Sequence, residues 1–463
     1  MSAADATVVR MAQASTLIDL RSRLTGSLLL PGDDGYDDAR RAWNLAVDQR
    51  PAAVAIPADV ADVQQIVRSA AANGLGVLTQ PNGHSAGADL DDVVLIRPRA
   101  FDEVTIDVDR RVARVGAGVN WGRVLTALDG SGLVALAGSN PEVNTVAYSL
   151  AGGHSLFARS YGLQSPAVTA VELVDASGEV ARVTQDSDPE LMWALRGAGG
   201  LFGVVTTIEF SLFDGDELYG GKLTFTSDRA SDLLSAVFEL ARSEPTLGLA
   251  FGMMNFPDAP FVPEPMRGKT LASVDVLHIG GFAGGNQIIA PLRALGTPVS
   301  DSTAVFGIGS LAEVAAEPTN PMLYEDWSSA SSGYDATSAQ RLVDAFFEAS
   351  AAGLTRIEVR PFGGSLLAGS RDHAVAGRID AASYVGASVI GPSLESLAAA
   401  ERAFAPLDAA VASTPATGDV PTFLDGRATL GDAFDPSAIA RLKALKAQRD
   451  PSDVIRGARR LSA

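Results

Sequence analysis

Apolar residues recur with two different periods along this chain, and the change of period divides it. Val60, Val63, Ile66, Val67 and Ala70 return at helical spacing. Asp59 precedes them as an N-cap and Gly74 stops them, so a helix is predicted through about Asn73. Short apolar runs at 77–80 and 93–96 predict strands, with the turn-rich PNGHSAGADLDD between them. Residues 112–115 predict a strand leading into GAGVNWG, and Val124, Leu125 and Leu128 mark a short helix. Residues 138–163, rich in Gly, Ser and Asn, read as a long loop. Alternation over 168–174 and 179–183, joined by a turn, predicts a hairpin. DPELMWAL opens with Asp and Pro in helix-start positions, and GVVTTIEF predicts a strand.

The pattern changes near Phe213. Strand candidates 247–254, 272–279, 354–360 and 381–390 alternate with helix candidates 227–242, 338–352 and 393–404. Together they predict an α+β fold whose second domain is an antiparallel sheet with helices on one face. A last helix opens at Asp435 and Pro436, with Ile439, Leu442 and Leu445 on one face. The expected units are 1–213, 214–421 and 422–463.

Composition narrows the function. The 463 residues carry 36 Lys and Arg against 55 Asp and Glu, a net charge of −19. A chain this acidic lacks the basic face that nucleic acid requires. No cysteine is present, which excludes disulfides, thiolate catalysis, zinc ribbons and iron–sulfur clusters. No run approaches the roughly 18 apolar residues of a membrane span. With neither an apolar leader nor a twin arginine near the start, a cytoplasmic protein with no membrane partner is expected. No oligomeric state is predicted.

Familiar motifs fail on spacing. Gly268-Lys269-Thr270 resembles the end of a phosphate loop, but the position of its first glycine is Pro263. GAGVNWG and GAGGLFG lack the Rossmann glycine spacing. No HExxH and no GxSxG occur, and His84, His154, His278 and His373 are scattered. Two glycine-rich segments remain: Gly83-His84-Ser85 between two short strands, and GSNPEVNTVAYSLAGGHSLFARSYGL. Glycines there could bring backbone N–H groups up to a pyrophosphate, or could simply form turns.

Order and spacing of the pieces add a resemblance. RPAAVAIPADVADVQQIVRSAAANGLGV, TQPNGHSAG, GAGVNWGRVLTAL, GGHSLFARSYGL, VELVDASGEV, DPELMWALRGAGGLFGVVTTIEF and RLKALKAQRDPSDVIR stand in the order found in the vanillyl-alcohol oxidase superfamily. Within it the chain resembles the berberine bridge enzyme-like and 6-hydroxynicotine oxidase-like group. The resemblance implies an FAD-binding domain over 1–213 with a two-part PCMH-type core over about 50–213, a substrate domain over 214–421, and a C-terminal segment, 422–463, that returns to the first. It implies FAD joined through its 8α carbon to His84. The second, cysteinyl link of many relatives falls on Asn140, so a bicovalent flavin is impossible here. Pro81, Asn82, Gly83, Ser85 and Ala86 would offer the pyrophosphate loop. Val143, Asn144, Gly152, Gly153 and Ser155 would pass the flavin and ribityl chain, and Val205 the adenine. Asn144, Ala147, Ala151, His154 and Ser155 stand where the family has glycines or small apolar residues, which would crowd the cofactor. Thr422 stands where it often has an asparagine. His154 reads either as a polar group near the isoalloxazine or as a surface or cavity-filling residue.

The chemistry would lie on the strand LTRIEVR, whose alternation puts Arg356, Glu358 and Arg360 on one face. The resemblance makes Glu358 the candidate general base, with Arg356 keeping it ionised; the alternative is a solvated face of an edge strand. Tyr384 would bond substrate or pack. The implied reaction is oxidation of a C–H next to O or N of a small organic molecule. A sugar, an alkaloid and a polyketide-like natural product all fit. Hydride passes to flavin N5, with O2 as acceptor. Two other readings are a non-redox cyclase or isomerase on the same fold, with flavin structural or lost, and a non-catalytic binding protein.

Overall fold

The computed structural model describes residues 15–416, 418 and 420–461. The first residues of the expected N-terminal unit and the last two of the chain lie outside them. The fold is α+β.

The helix predicted after Asp59 runs Val60–Ala72, and the Asp59 side chain accepts from the Asp62 amide as a helix cap. Its flanking strands, Ala53–Ile56 and Gly76–Thr79, both pair in parallel with Val93–Ile96, which lies between them. Ser27–Leu29 adds an antiparallel edge. Beside this four-stranded sheet stands a five-stranded antiparallel one, in the order Val104–Asp107, Val112–Gly116, Val204–Ser211, Val168–Val174, Val180–Thr184. The expected hairpin is its outer pair.

The long loop expected over 138–163 is only partly a loop. It contains helices Thr145–Leu150 and Ala158–Tyr161. Asn144 caps the first: its side chain accepts from the Ala147 amide and donates to the Ala117 and Val119 carbonyls. The side chain is therefore held by backbone partners on both sides of the turn.

The second unit is one antiparallel sheet of eight strands. The strands expected near 250, 275, 357 and 386 are Gly248–Asn255, Thr270–Ile279, Arg356–Pro361 and Ser383–Ile390. Two long strands were missed. Leu218–Thr226 carries a Gly-Gly pair that reads as a break. A Cβ at Gly221 would lie 2.6 Å from the Ser302 carbonyl, so the close passage of the 300–306 segment requires the glycine. Tyr324–Ser331 is an edge strand too polar to alternate visibly. Helices Ala230–Ser243, Ala336–Ala351 and Ala400–Val411 cover one face, burying Ile357, Val359, Val385, Ala387 and Val389 beneath them. The helix expected over 393–404 is two, Leu394–Leu397 and Ala400–Val411. Among the described residues no helix is long and apolar enough to cross a membrane.

The final helix, Pro436–Arg449, packs Ile439, Leu442 and Leu445 into the core of the first unit. The strap after it is tied down by Lys446. Its ammonium donates to Asp450 Oδ2 at 2.6 Å and to the Leu201 and Ile455 carbonyls. Val77 N then donates to Val454 O, and Arg456 N to Val77 O. Replacing Lys446 by Met leaves the nearly inaccessible Asp450 carboxylate with the Val454 and Ile455 amides but no cation. Chemical denaturation of Lys446→Met is expected to give a stability about 3–5 kcal/mol below the native chain.

Candidate active site

Open α/β sheets place ligands at the carboxyl ends of their parallel strands. The chain leaving Thr79 does so at that edge. Its turn needs glycine at 83: φ is +84°, and a Cβ would sit 2.7 Å from Gln80 Nε2. Beneath the turn, buried Arg97 donates to the carbonyls of Ala39 and Arg41 at 2.8 Å, Gln80 at 2.7 Å and Pro81 at 3.3 Å. The turn presents His84, stacked on Trp43 with ring centroids 4.3 Å apart and planes inclined by 17°. His84 Nε2 is shut off from solvent and has no hydrogen-bond partner. Burial pushes the imidazole pKa down to about 4, so the ring is neutral at ordinary pH.

The facing wall is the uncovered side of the large sheet. Alternation turns Arg356, Glu358 and Arg360 away from the helices. Arg360, not Arg356, makes the ion pair expected for Glu358. Its Nε donates to Oε1 at 2.5 Å and a terminal nitrogen donates to Oε2 at 3.3 Å. Arg356 acts on Glu358 only through its field. Burial pushes the Glu358 carboxyl up, but Arg360 and then Arg356 outweigh it and leave the group at about 2. Glu358 faces Gly252 and Gly386 on the two neighbouring strands. Glycine is needed at 386 because a Cβ would lie 2.1 Å from the Tyr384 hydroxyl. Burial holds that phenol far above its usual range, so it stays protonated. The ring of Tyr384 stacks on Phe423, with centroids 4.1 Å apart.

A cavity of about 410 Å³ joins the two walls. Pro81, Asn82, Gly83, His84, Ser85, Asn140, Val143, Asn144, Val205, Arg356, Glu358, Tyr384 and Thr422 all line it. Ala86, Gly152, Gly153 and Ser155 do not. Ser155 caps the Phe157 amide, and the Gly152 amide donates to Ser165. Gly153 donates to Thr422 Oγ1 at 2.5 Å, and that hydroxyl donates to the Ala151 carbonyl. Thr422 is thus a latch between the C-terminal segment and the 151–153 turn.

Several lining residues had been given no site role. Arg360 stood on the right strand face with nothing to mark it as the partner of Glu358. Phe423 follows Thr422 directly. The Gly197–Gly200 run is the GAGG of DPELMWALRGAGGLFGVVTTIEF, a piece of the resemblance that named none of its glycines as site residues. His154 resolves to the cavity. Its ring lies 5.3 Å from both Phe362 and Phe423, and neither ring nitrogen has a partner. Burial, then the charge of Arg360, drives its pKa to about 3, so it too is neutral.

These walls fit a flavin dinucleotide. His84 keeps a buried ring nitrogen without a partner in the cavity wall. Gly200, at φ +83°, leaves open space where a Cβ would stand, so backbone can approach a ligand closely there. Comparison with known proteins agrees. Residues 51–184 match a family model described as FAD binding domain. The (R)-6-hydroxynicotine oxidase of Paenarthrobacter nicotinovorans is 28% identical over 453 residues, covering 94% of this chain and 96% of that protein. The chain is an FAD-linked oxidoreductase, similar to flavoproteins of the vanillyl-alcohol oxidase superfamily. The solved structure of 6-hydroxy-D-nicotine oxidase from Arthrobacter nicotinovorans superposes on this flavoprotein with a TM-score of 0.79 at 26% identity, covering 94% of this chain and 97% of that one. The xylooligosaccharide oxidase of Thermothelomyces thermophilus is 34% identical over 177 residues, 37% of this flavoprotein and 35% of that protein. These relatives favour the redox reading over the cyclase or isomerase.

The Glu358 carboxyl titrates near 2 when folded and near 4.5 when free, so the unfolded chain takes up this proton first as pH falls. The stability it contributes is complete above about pH 4.5 and is lost as pH falls toward 2. Glu358→Gln is expected to flatten the acid limb of a stability-against-pH curve across that window. An acid limb parallel to the native one would show that no depressed carboxyl is present.

Proposed function

We propose that the flavoprotein is an oxidase whose FAD is joined to His84 alone, and that it oxidises a small organic molecule at a C–H bond next to O or N. One observation carries the attachment: a neutral imidazole in the cavity wall with a solvent-shielded, unpartnered nitrogen. FAD bound there supplies a hydride acceptor at N5 and, through dioxygen, an outlet for two electrons as hydrogen peroxide.

The sheet wall would handle substrate. Among the lining side chains Arg356 and Arg360 are matched by Glu358 and Glu317, and Arg459 of the C-terminal segment adds one positive charge. Glu358 is ionised at any working pH, but at about 2 it is a weak base. Its proposed role is therefore to accept a hydrogen bond from the substrate O–H or N–H and to take that proton as positive charge develops while the C–H bond breaks. A protonated carbonyl is acidic enough for so weak a base to suffice. Tyr384, protonated throughout, would donate to substrate. Neutral His154 would offer one donor and one acceptor on the side of Phe423.

Acid precipitation of the native protein is expected to leave the yellow colour in the pellet, and His84→Ala to release it to the supernatant. Glu358→Gln should retain FAD while turnover, followed by peroxide release on a substrate found by screening, falls about 10²–10⁴-fold. Undiminished turnover in that variant would remove the carboxylate from the reaction.

A further inference from the structure

His84 is held by two segments remote from it in sequence, and the reaction does not account for this. Trp43 lies under the imidazole, nearly parallel to it. Its amide donates to the Asn82 carbonyl at 2.9 Å, which fixes the indole to the same turn. The Tyr324 hydroxyl, at the start of the edge strand of the large sheet, donates to the His84 carbonyl at 2.8 Å. The two clamps are also tied to each other. Met322 N donates to Trp43 O, Leu45 N to Met322 O, and the Asn44 amide side chain to Tyr324 O. Segments 43–45, 82–84 and 322–324 thus close a circuit around one histidine, and the third belongs to the substrate-side sheet.

We infer that Trp43 and Tyr324 are positioning residues for covalent attachment of FAD, and that attachment is completed only once the large sheet has docked on the His84 turn. The inference rests on the His84 attachment proposed above. In the bond-forming step the 8α methyl of the flavin loses a C–H and the imidazole an N–H. A C–N bond forms, and two electrons and two protons leave to dioxygen as hydrogen peroxide. That step needs the imidazole nitrogen held against one carbon. A ring fixed by stacking, on a backbone fixed by a hydrogen bond, has already lost the freedom that attachment would otherwise cost. The tyrosine hydroxyl suits the task because burial keeps it protonated, and therefore a donor, at any working pH.

The test uses full-length apoprotein mixed with FAD in air. Acid-stable flavin fluorescence in a denaturing gel is followed over time, and non-covalent FAD binding is titrated in parallel under anaerobic conditions. Trp43→Ala is expected to slow attachment about tenfold or more and Tyr324→Phe several-fold. Both should bind FAD non-covalently within about threefold of the native affinity, and Trp43→Phe should restore most of the rate. Attachment at the native rate in both variants would overturn the inference and leave the His84 link standing. If the native protein itself retains no acid-stable flavin, the link and the inference fall together. Should Trp43→Ala fail to bind FAD, Tyr324→Phe decides: it removes one hydroxyl only, and an unchanged rate in it overturns the inference.

Discussion

Four backbone carbonyls converge on one buried guanidinium, and the shape of the cavity depends on it. Arg97 sits on the loop leaving the central parallel strand and binds the carbonyls of Ala39, Arg41, Gln80 and Pro81. A buried charge is tolerable only when its donors are satisfied, and here carbonyl dipoles satisfy it. Burial lowers its pKa to about 10, so it remains a cation. By gathering two separate stretches of chain it fixes both the His84 turn and the 39–41 segment that delivers Trp43. Loss of that cation would free each of them from the other.

The opposite wall follows a simpler rule. Period-two alternation of the large sheet sends Ile357 and Val359 under the helices and Arg356, Glu358 and Arg360 to the cavity. The charged face is kept compact by the short reach of Arg360 to Glu358 and by glycine at 386, where the Tyr384 hydroxyl takes the space of a side chain. Phe423 then closes the far end, touching Tyr384, His154 and Arg360 at once. It is a C-terminal residue, so the site is complete only when the chain has returned to the first unit.

Polar residues in the 143–155 turn were expected to crowd a cofactor, and the structure disposes of most of them locally. Asn144 is consumed as a helix cap, Ser155 caps Phe157, and Gly152 and Gly153 pack against Thr422, Gln164 and Tyr148. Only His154 among the polar members keeps its side chain in the cavity without a partner. A polar residue replacing glycine is harmless when its own backbone neighbourhood offers it a bond, and sequence spacing alone does not show which neighbourhoods do.

Local interactions were legible in the sequence because they are short-range. The Asp59 cap, the strands on either side of the His84 turn, the alternation of LTRIEVR and the flavin-binding character of the N-terminal half all follow from neighbours in the chain or from the order of its motifs. The missing cysteine alone ruled out a cysteinyl flavin link. What tertiary structure decided was pairing across distance. It determined that Arg360 rather than Arg356 bonds Glu358, that Thr422 latches the 151–153 turn, and that Trp43 and Tyr324 both hold His84. The Gly-Gly strand and the polar edge strand were hidden for the same reason. Their conformations are set by segments some eighty residues away or by a single neighbouring strand, and periodicity within a short window carries no record of such partners.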